Sequence, residues 1–83
     1  MTFNVLYFAW LRERIGVPSE EVVANVSSVS ELVTFLRDKE ERYELAFSDT
    51  RAVKVAVNQE LVDFDAKLNG GEEVAFFPPM TGG

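Results

Sequence analysis

An α+β fold, in which a small mixed β-sheet packs on one main helix, is predicted by three features of this chain. Alternating β-branched and aromatic residues mark strands at the N-terminus, around Val53, Val55 and Val57, and again near the C-terminus. A single amphipathic stretch with a capping signature lies between them, and glycine or proline punctuates the main junctions.

The first strand is expected from Thr2 to Trp10, with Phe3, Val5, Tyr7 and Ala9 on the core face and Asn4, Leu6, Phe8 and Trp10 on the other. Polar Asn4 makes that second face the more exposed one, which leaves Phe8 as a solvent-facing aromatic. Leu11 to Ile15 can form one helical turn before Gly16 and Pro18 break the pattern, and a second strand then runs from Glu20 to Val26. Ser28 followed by Glu31 has the spacing at which a hydroxyl and a carboxylate satisfy orphan amides of a first helical turn. The main helix therefore starts there, with Val29, Leu32, Val33, Phe35 and Leu36 recurring at helical spacing. The mixed-sign run from Arg37 to Arg42 reads as a solvated face.

Tyr43 to Phe47 adds a short helical turn, and Ser48, Asp49 and Thr50 form a turn cluster. A strand over Arg51 to Asn58 turns its valines to the core. Asn58-Gln59 makes a tight turn into a short strand, Glu60 to Val62, and an irregular stretch follows to Leu68. Asn69-Gly70-Gly71 is a turn that tolerates left-handed backbone, and the last strand runs from Glu72 to Phe77 with Val74 and Phe76 inward and Glu73, Ala75 and Phe77 outward. Residues 1–77 are thus one domain, and residues 78–83 a flexible C-terminal tail ending in Gly-Gly.

At 83 residues the chain can bury about 60% of its unfolded surface in one modest core. Its 14 acidic and 8 basic residues give a net charge of −6, which argues against nucleic acid and anionic membranes and favours a basic protein partner. With no cysteine and no histidine, thiol nucleophiles, imidazole bases and metal sites built on those ligands are excluded, so no metal is expected. Apolar runs fall well short of the roughly 20 residues that span a bilayer, and no leader pattern is present, so a cytoplasmic location is expected. Asp63 with Asp65, and Glu72 with Glu73, read as turn and surface acids, because neither pair has the series of a calcium loop or the opposed placement of a catalytic dyad.

Two features point to function. The terminal run Phe76-Phe77-Pro78-Pro79-Met80-Thr81-Gly82-Gly83 leaves the fold at two prolines and ends on residues slim enough to thread a narrow channel, so the carboxylate of Gly83 is the candidate reactive group. An inert flexible terminus is the alternative. The outward strand positions Phe8, Ala56, Ala75 and Phe77, joined by Leu61, form an apolar strip with no second helix to cover it, as at a partner site. A register shift of one residue would instead turn them into core.

The helix, the run Ala56-Val57-Asn58-Gln59 into Leu61-Val62, and above all Asn69-Gly70-Gly71-Glu72-Glu73-Val74-Ala75-Phe76-Phe77-Pro78-Pro79 with its Thr81-Gly82-Gly83 end resemble the small-subunit family of molybdopterin synthases. The resemblance implies a ubiquitin-like β-grasp fold and a sulfur carrier with no bound cofactor. It implies that Gly83 is adenylated by an activating enzyme with ATP and converted to a thiocarboxylate with sulfur from a donor protein. Thr81, Gly82 and Gly83 would then enter the active site of a large subunit in a heterotetramer and pass sulfur to cyclic pyranopterin phosphate, with Phe8, Leu61, Phe77 and Pro78 at the interface. Catalytic side chains would belong to the large subunit, because this chain has no histidine or cysteine and its acidic balance repels phosphate, so it is expected to be no enzyme on its own. Carriers for thiamin or tRNA thiolation and ubiquitin-like modifiers share the grasp and the double glycine and stand as alternatives. The chain already ends at Gly83, so no processing is expected.

Overall fold

A computed structural model describes residues 1–79. Among them are strands β1 (Thr2–Tyr7), β2 (Ser19–Val23), β3 (Lys54–Val57), β4 (Glu60–Val62) and β5 (Glu73–Phe77), with helices α1 (Ala9–Ile15), α2 (Val29–Lys39) and α3 (Glu41–Ala46). The strands form one mixed sheet of order β2-β1-β5-β3-β4, in which β1 and β5 pair in parallel and every other pairing is antiparallel. Helices cover one face, and Phe3, Val5, Tyr7, Val74 and Phe76 of that face are at most 1% exposed.

α2 forms because its apolar residues fall on one side and its first turn is satisfied from several directions. Ser28 Oγ accepts the Glu31 amide at 3.1 Å, while the Glu31 carboxylate accepts the Ser27 amide at 2.7 Å, one residue earlier than a reciprocal cap would take. The stretch after β4 is less irregular than its sequence suggests, because the carbonyls of Ala66 and Phe64 accept the amides of Val29 and Ser30. Those are orphan donors of the helix start, so this segment straps α2 to the sheet and buries Leu68.

Two turns fix the strands that lead to the C-terminus. Asn58 and Gln59 both have positive φ (51° and 69°), the backbone of a tight two-residue hairpin between β3 and β4. Asn58 also takes the Glu73 amide on its side chain at 3.0 Å, which pins the start of β5. Gly70 and Gly71 have φ of 104° and 87°, and the Glu72 carboxylate gathers the amides of Asn69 and Gly70 at 2.7 Å each.

Three strand boundaries differ from the sequence expectation by three residues each. β1 stops at Tyr7 rather than Trp10: Phe8 caps α1 with extended backbone, and Ala9 at φ 54° turns the chain over the end of the sheet. Ala9 is accordingly exposed rather than core-facing, and Trp10 is half-buried on a helix whose Leu11 and Ile15 fill the core. β2 ends at Val23 rather than Val26, since its pairing runs out where Ala24 donates to the Met1 carbonyl at 2.9 Å. β3 begins at Lys54 rather than Arg51, because Asp49 accepts the Arg51 amide and winds Thr50–Ala52 into a 3₁₀ turn. Among the described residues no helix is long and apolar enough to cross a membrane.

Candidate functional site

The uncovered sheet face carries the expected apolar strip, and strand register explains its shape. Leu6 lies opposite Ala75, Ala75 opposite Ala56, and Ala56 opposite Leu61, so four neighbouring strands contribute one continuous row. Leu61 is 67% exposed at the open edge. Ala75 is 8% exposed although it points outward, because its small side chain sits between Leu6 and Ala56. Leu6, which the alternation assigns to this face without a role, completes the row.

Polarity changes in a defined way on either side of the row. Away from the C-terminus, Glu21 faces Asn4 and Asn4 faces Glu73, which makes an acidic border. Toward the C-terminus, Phe77 faces Lys54, and the Phe8 amide donates to the Phe76 carbonyl at 3.1 Å. Phe8 is 47% exposed, while Phe77, Pro78 and Pro79 are half-buried. The structure thus brings Phe8, Leu61, Phe77 and Pro78 to one face and its tail-side border. Thr81, Gly82 and Gly83 lie outside the described residues.

The helix-covered side holds a polar cluster that the sequence reading missed. Glu20, opposite Val5 on β2, turns inward, and one carboxylate oxygen accepts both the Tyr7 hydroxyl at 2.8 Å and the Tyr43 hydroxyl at 2.6 Å. Burial, reinforced by the hydrogen bond to Glu20, pushes the Tyr43 phenol up to about 12, and the same causes raise that of Tyr7 further. This cluster ties β1, β2 and α3 together on the side of the sheet opposite the apolar row. No group of three or more acidic side chains among the described residues is arranged to hold a metal.

A family model described as the ThiS family matches residues 5–83. The chain belongs to that family. The molybdopterin synthase sulfur carrier subunit of Escherichia coli K12 is 46% identical over 80 residues, spanning 96% of this ThiS-family chain and 98% of the relative. Of the solved structures, SAMP1 from Haloferax volcanii superposes with a TM-score of 0.81 at 22% identity, covering all of both chains. A chain of the complex of subunits 1 and 2 of the molybdopterin-converting factor from Helicobacter pylori matches with a TM-score of 0.67 at 25% identity, again over both whole chains. The fold is the ubiquitin-like β-grasp.

Proposed function

We propose that this chain is the sulfur carrier subunit of a molybdopterin synthase, acting in the cytoplasm, with the carboxylate of Gly83 as its working group. The observation that carries the reading is the 46% identity to a sulfur carrier subunit across 96% of the chain, a span that includes the apolar face. The docking geometry adds support, since the exposed row and the aromatic pair Phe8 and Phe77 border the point where β5 ends.

The chemistry follows from an unreactive group. A terminal carboxyl with a pKa of about 3.5 is an anion at neutral pH, and hydroxide is too poor a leaving group for sulfur to displace. In the proposed sequence an activating enzyme lets a carboxylate oxygen attack the α-phosphorus of ATP. An acyl adenylate forms and pyrophosphate leaves. Sulfide delivered by a donor protein then attacks the carbonyl carbon, AMP leaves, the S–H proton is lost, and a thiocarboxylate remains. That sulfur attacks an electrophilic carbon of cyclic pyranopterin phosphate within a large subunit, an oxygen there leaves as water, and hydrolysis of the resulting thioester leaves the sulfur on the pterin and restores the Gly83 carboxylate. The large subunit supplies the acid, base and phosphate contacts this chain lacks, having neither histidine nor cysteine. Thr81 and Gly82 would occupy the channel and Pro78 would stiffen its entrance, with Phe8, Leu61 and Phe77 docked outside it in a heterotetramer.

Incubation with ATP, the activating enzyme and a sulfur source is expected to replace one terminal oxygen by sulfur, read by intact-protein mass spectrometry. Removing Gly83 is expected to leave the melting temperature unchanged and abolish sulfur transfer to the pterin precursor. Retained transfer without Gly83, sulfur appearing only in thiazole or tRNA, or an isopeptide-linked ladder on other proteins would each overturn the reading.

A further inference from the structure

Beyond the tail-side end of the central strands lies a groove of about 390 Å³, lined by Trp10, Arg14, Leu45, Ala46, Asp49 and Ala52 among others. Both of its walls start from the end of β5. Trp10 follows two residues after Phe8, whose amide is bonded to Phe76, and Ala52 precedes by two residues Lys54, which faces Phe77. At about 3.3 Å per residue, each wall is within roughly 7 Å of chain from a residue paired with the end of β5, itself about 5 Å away across the sheet. The groove and the apolar row are therefore neighbouring parts of one surface that meets where β5 ends.

The groove is lined by both apolar and polar side chains, Ser48 among the latter, and its charges are unequal. Asp49 is engaged by Arg51 at 3.1 Å, and the hydrogen bonds from Arg51 hold its carboxyl below the usual range. Arg14 forms no ion pair among the described residues; its guanidinium carbon sits 5.2 Å from the centre of the Trp10 ring, held by the ring face. Leu45 is 56% exposed at the other lip. A groove with Trp10 and an exposed leucine on its walls and a cation in no ion pair beside them, in a chain of net charge −6, fits an apolar side chain flanked by a carboxylate.

Taking the tail as the sulfur donor to a large subunit, we propose that this groove is a second contact for that same subunit, which seats an apolar side chain on Trp10 and Leu45 and sets a carboxylate against Arg14. The partner that swallows the tail must close around its root, so contact there continues from the apolar row past Phe77 into the groove. The large subunit is favoured over the activating enzyme because a matching solved chain comes from a two-subunit complex. Gripping the chain on both sides of the tail root would fix the direction in which the tail enters the channel, which a single flat face leaves free to pivot.

Titration of the full-length chain against the isolated large subunit tests this, using Arg14→Glu, Leu45→Glu and Trp10→Ala, with Lys67→Glu as a control for changed net charge. Arg14→Glu is expected to weaken binding about tenfold or more and to flatten its salt dependence, with Leu45→Glu similar and Lys67→Glu within about twofold of the parent. Should Trp10→Ala unfold the domain, the two rim variants still decide the matter. Unchanged affinity in folded rim variants, a loss confined to the activating enzyme, or a loss only of self-association by sedimentation would overturn the second contact while leaving the carrier reading intact. If the unaltered chain does not bind the large subunit, both fall together.

Discussion

The two faces of the sheet are built from the same strands, one residue out of phase, yet they do opposite things. On the helix side, Phe3, Val5, Tyr7 and Phe76 are at most 1% exposed and hold the domain together. On the open side, Leu6, Ala56 and Leu61 form an apolar row that no helix among the described residues covers. Hydropathy alone does not separate the two. The inner face accepts a carboxylate, Glu20, because two phenols donate to it, while the outer face presents leucine and phenylalanine to solvent. A polar group is tolerated inside when its hydrogen bonds are made, and an apolar row persists outside when a partner can cover it.

The largest effect should come from Phe76→Ala. Its ring stacks on Tyr7 at 6.3 Å and meets Phe47 edge-on at 5.0 Å, so truncation leaves a cavity at the centre of the core. A loss of about 3–5 kcal/mol is expected in urea denaturation, a large part of the stability of a domain this size. The neighbouring Phe77→Ser should cost only about 1 kcal/mol in the same measurement yet weaken binding to the large subunit about tenfold or more by calorimetry. A reversed pattern, with Phe77 controlling stability and Phe76 controlling affinity, would break the division between the faces.

How far this division was legible depended on whether local pattern or distant partners decided each residue. Val53, Val55, Val74 and Phe76 could be assigned from alternation, since strand geometry sends every second side chain the same way. The Ser28 cap and the Asn58-Gln59 turn were equally local. Trp10 was misread because the apolar pattern runs unbroken from the strand into α1, and the reversal at Ala9 leaves no glycine or proline to mark it. Glu20 was not legible, because its burial depends on Tyr7 and Tyr43, which lie 13 and 23 residues away in sequence. Likewise, the groove beside the tail root draws on α1, α3 and the turn before β3, three segments that acquire a common surface only on folding.

The smallest of these effects sharpens the comparison through pH. In the unfolded chain a tyrosine loses its proton near 10, whereas Tyr43 in the folded protein holds it to about 12. Between those values the unfolded state binds fewer protons, so stability is fully present below pH 10 and falls as pH rises toward 12. Tyr43→Phe should remove part of that slope in urea melts between pH 9 and 12, while costing little at neutral pH because Glu20 keeps its bond from Tyr7. Lys39, whose ammonium lies 5.6 Å from the centre of the Tyr43 ring, and Arg42 at 4.9 Å are the cations facing this phenol, so Lys39→Gln serves as the control for removing a neighbouring cation. Phe77→Ser, on the other face, should leave the slope unchanged. Equal slopes in Tyr43→Phe and the parent would mean that the alkaline loss arises elsewhere and that the inward carboxylate is not what confines it to this face.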